Sequence, residues 1–309
     1  MLSRTADNLY WLARYLERAE GTTRLLETAA HSALLPLGAA QAEREWEQPL
    51  LISGCRDGFA TRHGAITGAA VLQDLTLESR NPASILCALR AARENAAAAR
   101  SAISAEMWEC LNGTWLALQR QPSAPVGGHA MALLERLRER LHLFWGVTES
   151  CAIPDEATRF LRLGTQLERA DGTARVIGVY AAVYTGASPE PFAYYRWAAL
   201  LRALGVGETD RNTGHGRGLA DRAIEELLLR AEMPRSLHAA LDAIEDALGD
   251  LDTGGEVVRR AGGLHAQLHS GRIEAIQSHG LQPFLAEFLA ALGALDTEIR
   301  DRLLALQCV

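Results

Sequence analysis

The chain has no lysine: all 31 of its basic residues are arginine. That absence excludes a Walker-type phosphate loop, a kinase-type ATP lysine and Schiff-base chemistry, each of which needs a primary ammonium. Cysteine is scarce and scattered. Cys55, Cys87, Cys110, Cys151 and Cys308 are odd in number and form no Cys-x-x-Cys pair. This suits reduced thiols rather than a disulfide framework or a zinc site. Cys151 has no histidine in a recognisable catalytic signature and is expected to be a buried structural thiol. No apolar run of about 18 residues occurs and the amino terminus has no leader pattern, so a membrane span is not expected and a cytoplasmic location is. A basic excess is also missing. The formal charge of −7 argues against nucleic acid as a partner, because neutralising phosphates needs a basic surface.

What is present is aliphatic and helical. Hydrophobic residues make up 48% of 309 positions and aromatics only 6%, enough for a large core of Ala and Leu contacts. Leu9, Leu12, Leu16, Ala19, Thr23 and Leu26 recur at helical spacing, predicting a first helix from Ser3 to about residue 33. Further helices are expected at 43–52, 69–78, 131–150, 219–232, 234–251, 256–278 and 283–306. A long Ala-rich one starts at Asn81-Pro82 and runs to about 118. Residues 53–68 and 205–218 read as polar, Gly-rich loops. No alternating strand pattern appears, so the fold class is all-α.

The chain also repeats itself. Leu16-Glu17-Arg18-Ala19-Glu20-Gly21-Thr22-Thr23-Arg24 returns as Leu167-Glu168-Arg169-Ala170-Asp171-Gly172-Thr173-Ala174-Arg175. Trp46, Leu50 and Gly54 match Trp197, Leu201 and Gly205. Asp74 and the stretch Pro82-Ala83-Ser84-Ile85 match Glu226 and Pro234-Arg235-Ser236-Leu237. Three anchors in one order argue for duplication of a unit of roughly 150 residues, too long a period for a solenoid. We therefore expect repeats at 1–150 and 151–309, packed about a pseudo-twofold axis as one helical bundle.

On a helical wheel Arg14, Glu17, Glu20 and Arg24 share the face opposite the apolar stripe, while Arg18 falls beside Trp11 and Tyr15. Two uses fit this pattern. The charges could form an ion-pair lattice between the duplicated helices, with Glu17 reaching Arg169 or Arg175, and Glu168 reaching Arg18 or Arg24. Alternatively they could line a pocket for a zwitterion, arginine holding a carboxylate and glutamate receiving an amine. Amino acids and peptides have that polarity. Asn95, Glu109 and Asn112 could line the same pocket.

The opening residues 1–20, containing Arg14-Tyr15-Leu16-Glu17-Arg18-Ala19-Glu20, resemble the bacterial alpha-E family. So do Asn81-Pro82-Ala83-Ser84-Ile85, Arg93-Glu94-Asn95-Ala96, Glu106-Met107-Trp108-Glu109 with Asn112, Leu167-Glu168-Arg169-Ala170-Asp171 and Pro234-Arg235-Ser236. Members of that family are encoded beside, or fused to, circularly permuted ATP-grasp proteins and transglutaminase-like cysteine peptidases. The resemblance implies work with an ATP-grasp amidoligase, and with such a peptidase, in making or modifying peptide amide bonds. One position departs from the pattern: Ala97 stands where the family often has another Arg, which weakens this stretch as an anion site.

Other candidates are weaker. His265 and His269 lie one helical turn apart, but no third ligand is evident, so no metal and no cofactor are expected. Asp210, Arg211, His215 and Arg217 give the 205–218 loop the composition of a lid. Gly205-Val206-Gly207 lacks the strand a dinucleotide fingerprint requires. Two rival readings to the partner protein are a helical enzyme using Glu17 or Glu168 as general base, and a structural homo-oligomer.

Overall fold

The stripe Leu9, Leu12, Leu16 and Leu26 is the start of the core: each of these side chains is at most 1% exposed in a computed structural model of the chain. Burying one leucine fully contributes about 1.5–3 kcal/mol. The structure describes residues 1–35, 38–121, 128–184, 190–205, 219–251, 255–269, 276 and 280–304. Among them there is no strand, and no helix is long and apolar enough to cross a membrane.

Helix α1 spans Ser3–Ser32, α2 Ala39–Ile52, α3 Arg56–His63, α4 Gly68–Thr76, α5 Ile85–Ala98, α6 Ala105–Gln119 and α7 Gly128–Cys151. Then come α8 at Glu156–Tyr184, α9 at Glu190–Ala203, α10 at Leu219–Leu229, α11 at Leu237–Asp250, α12 at Glu256–His269 and α13 at Leu281–Ile299. A π turn at Arg300–Leu304 follows α13. The described residues fall into two units. One is Trp11–Thr158; the other is Met1–Tyr10 with the described residues from Arg159 onward. In the first, α2 packs on α3 and α4, and α4 through α7 each pack on the next; in the second, α9 through α13 do the same.

Helix lengths run in parallel. α1 and α8 have 30 and 29 residues, and α2, α9, α5 and α11 have 14 each. The ends agree as well. Gly54 after α2 and Gly205 after α9 adopt left-handed φ values of 66° and 68°, which glycine takes without a Cβ clash. Ser84 and Ser236 both cap the following helix, their hydroxyls accepting from the amides of Cys87 and Ala239. Gly68 has a different role. A Cβ there would sit 2.7 Å from the Trp46 ring, so glycine lets the indole lie against the start of α4.

Three expectations need correction. The long Ala-rich helix is two helices, broken by a 3-10 turn at Arg100–Ala102. Ser104 causes the restart, since its hydroxyl caps α6 by accepting from the Met107 amide. That helix also begins at Ile85, not Pro82. The Asn81 side chain accepts from the Ala83 amide and donates to Asp74, building a turn instead of a cap. Finally, residues 53–68 are not all loop: Arg56–His63 is α3, with Asp57 in its first turn and Arg62 and His63 in its last, favourable ends of the helix dipole.

Candidate functional site

The repeated acid–arginine segment lies in the middle of α1, and both of its glutamates are buried, Glu17 at 3% and Glu20 at 2% exposure. The charged face is therefore no solvated stripe. Arg24 donates from Nε to Glu20 Oε1 at 3.0 Å, one helical turn away. His142 of α7 completes the cluster, with Nε2 at 2.9 Å from Arg24 Nη2 and 3.3 Å from Glu20 Oε1. One ring nitrogen can accept from the guanidinium or, protonated, donate to the carboxylate, but not both. His142 is half exposed, so the buried pair reaches solvent through an imidazole. One turn further, Arg138 of α7 donates to Glu27 at 3.2 Å. Sequence spacing on α1 gave no signal for His142 and Arg138, because both come from a helix more than a hundred residues away.

Arg14 lies over the Trp11 ring at 5.3 Å and Arg18 over Tyr15 at 5.5 Å, as the wheel suggested for Arg18. In α8 the counterpart Glu168 is buried. Asp171 takes two bonds from Arg175, 2.6 Å from Nε and 3.0 Å from Nη2, at a partly exposed position. Arg169 Nη1 is 3.4 Å from the Pro234 carbonyl, and the Thr173 hydroxyl donates to the Arg235 carbonyl at 3.0 Å. The second acid–arginine segment thus ties down the turn before α11, joining two stretches that the sequence marks as repeated.

The three proposed pocket residues have local duties. Asn112 accepts from Arg93 Nε at 2.7 Å, and that guanidinium lies 5.4 Å from the Trp108 ring. Asn95 donates to the Ala91 carbonyl of its own helix, and Glu109 is exposed. A cavity of about 320 Å³ lies elsewhere in this unit, lined by Gln73, Leu77, Leu86, Arg90, Trp115 and Gln119 among others.

A second buried ionic group emerges around Asp74, which is fully buried. Arg62 grips it through Nε at 2.7 Å and Nη2 at 2.9 Å, His63 Nε2 lies 3.0 Å away, and Asn81 donates at 2.7 Å. Burial, and then the Asp74 charge, push the Cys55 thiol above its ordinary value. Arg62 and His63 stood in the sequence as loop residues; α3 is what turns them inward. Cys151 departs from expectation in the other direction, being exposed at the end of α7. His265 meets His238 and Asp242 of α11, neighbours that spacing on its own helix could not reveal. The side chain of His269 and the segment containing Asp210, Arg211, His215 and Arg217 lie outside the described residues.

Comparison with known proteins adds one assignment. The model of the Alpha-E family, described as a predicted alpha-helical domain with a conserved ER motif, matches residues 1–304. Uncharacterised proteins of Mycobacterium tuberculosis, from strains H37Rv and CDC 1551, and of Mycobacterium bovis are each 25% identical to the chain over 98% of its length. The chain spans 37% of the length of these relatives. No solved structure matches it. A Glu-Arg pair of the described kind stands at Glu17-Arg18 in α1 and again at Glu168-Arg169 in α8, and the chain belongs to the Alpha-E family.

Proposed function

We propose that this all-α protein is an internally duplicated accessory protein of an ATP-grasp amidoligase, binding that partner or the partner's amino-acid or peptide substrate in a system that forms or modifies peptide amide bonds. The observation that carries the reading is the burial of Glu17 and Glu168, equivalent positions of the two acid–arginine segments. A buried carboxylate must be compensated by a cation or by several donors. A chain that repeats this costly feature in a second segment has a use for it, either as a structural ion-pair lattice or as a seat for a ligand amine. The absence of lysine supports the assignment of nucleotide chemistry to the partner. The relatives, in which a segment matching this chain is joined to a greater length of other sequence, fit a unit that works alongside other domains.

The test is reconstitution with an ATP-grasp ligase and, in a parallel arm, a transglutaminase-like peptidase encoded beside it. ADP release by the ligase is measured with and without this chain. Stimulation that Glu17→Gln and Glu168→Gln abolish, with helicity and melting temperature unchanged, supports the reading. Unfolding of both variants instead supports a purely structural lattice, and turnover by this chain without the ligase supports the enzyme reading.

A further inference from the structure

Helices α11 and α12 bring three ligand-type side chains to one point, with a fourth behind them. His238 and Asp242 sit one turn apart on α11, Glu245 lies on the next turn, and His265 faces them from α12. Nε2 of His265 is 3.3 Å from Nε2 of His238 and 3.3 Å from Asp242 Oδ1. One donor atom from each of these three residues lies within 4.8 Å of the others. Behind His265, Glu245 Oε1 stands 2.9 Å from Nδ1, and the other Asp242 oxygen is 3.3 Å from His238 Nδ1.

The spacing has a direct chemical reading. Tetrahedral zinc, with bonds of about 2.0–2.1 Å, holds its donors about 3.3–3.4 Å apart. The two measured edges, N···N and N···O, match that figure. The Glu245 carboxylate, 2.9 Å from Nδ1, favours by its charge a proton on that nitrogen, and so the His265 tautomer whose Nε2 lone pair is left for the shared point. Two imidazoles and one carboxylate suit a borderline transition metal and not magnesium or calcium, which prefer all-oxygen sites. Both histidines are shielded, at 13% and 16% side-chain exposure, while Asp242 is 48% exposed and leaves an entry path.

We propose that His238, Asp242 and His265 bind one divalent transition-metal ion of the zinc class, with Glu245 as a positioning residue and a fourth coordination place open to water. The site rests on α11 and α12 alone and is independent of the ligase partnership proposed above.

The test uses the untagged full-length chain, stripped with a chelator and titrated with zinc chloride by calorimetry and with cobalt(II) by visible absorption. One equivalent of zinc is expected to bind and raise the melting temperature, and cobalt is expected to give the strong visible bands of a four-coordinate ion. Asp242→Asn, at a half-exposed position, is expected to retain the fold and lose at least tenfold in zinc affinity. His265→Gln should lose more, and Glu245→Gln about 10–100-fold with the cobalt bands kept but weakened. Absence of stoichiometric binding, or zinc affinity unchanged in a folded Asp242→Asn variant, overturns the proposal.

Discussion

Arg62 holds Asp74 by two parallel hydrogen bonds, 2.7 Å from Nε and 2.9 Å from Nη2, and the carboxylate they meet has no exposed surface. A bidentate pair of this kind fixes direction as well as distance. It joins the end of α3 to α4, and Asn81 extends it to the turn before α5. Asp74→Ala leaves the Arg62 guanidinium, 15% exposed, without its counter-charge and the buried Asn81 amide without its carboxylate acceptor, a change that costs about 3 kcal/mol. Urea unfolding measures it, and a loss below about 1 kcal/mol would show that the pair is not structural.

The two acid–arginine pairs of the repeated segment differ in burial, so they should differ in energy. Glu20 and Arg24 are 3% and 14% exposed at the side chain, whereas Asp171 and Arg175 are 26% and 46% exposed. Glu20→Ala is therefore expected to destabilise by about 3 kcal/mol or more and to be insensitive to salt. Asp171→Ala should cost about 0.3–0.5 kcal/mol and less still in high salt. Equal costs in both would contradict the burial.

Acid provides a separate probe. Glu78 accepts from the Arg80 side chain and from its backbone amide, and these bonds lower its carboxyl to about 2. A folded value below the unfolded one means that the pair contributes stability above about pH 4.5, and that this contribution fades as the pH falls toward 2. Arg80 is 74% exposed, so screening by solvent keeps the gain small. Arg80→Ala should remove this part of the acid dependence, while the wild-type and variant curves converge near pH 2. The check is a pair of urea-midpoint series across that range.

Burial also orders the thiols. Desolvation raises the Cys55 and Cys110 thiols, disfavouring the thiolate that alkylates, whereas Cys151 is exposed. Iodoacetamide at pH 8 should label Cys151 well before Cys55 and Cys110, with peptide mass spectrometry as the readout. Equal rates in the native protein would mean that Cys55 and Cys110 are far more accessible than the fold shows.

Much of the architecture was written in local pattern. The stripe from Leu9 to Leu26 located α1 almost to the residue, and the second copy of its motif located α8. Local pattern failed where a single polar side chain overruled composition. Ser104 restarts a helix within an Ala-rich run that reads as continuous, and Asn81 uses its amide for a turn rather than a cap. The charged residues show the deeper limit. Spacing put Glu20 beside Arg24, because both lie on one helix, yet it could not supply His142, nor place His238 next to His265, because those meetings are made by packing. A wheel also assigns charges to solvent by default, and α1 is buried on the face that carries Glu17 and Glu20 as well as on its apolar stripe.

Ser84 and Ser236 fill the same capping role at the starts of α5 and α11. Ser84 and Ser236 are both fully buried, and their hydroxyls accept from amides three residues on, at 3.2 Å and 3.0 Å. Replacing either by Ala removes an N-cap and costs about 1 kcal/mol. The two losses should not be equal. Ser236 Oγ also donates to the Arg230 carbonyl at 2.6 Å, tying the end of α10 to the start of α11, so Ser236→Ala gives up a second, part-buried hydrogen bond worth about 1 kcal/mol more. Hydrogen exchange at the Cys87 and Ala239 amides reports each cap separately. Faster exchange at the cognate amide in each variant, with the larger fall in unfolding midpoint for Ser236→Ala, is the expected result; a Ser236→Ala variant as stable as Ser84→Ala would mean that the second bond contributes nothing.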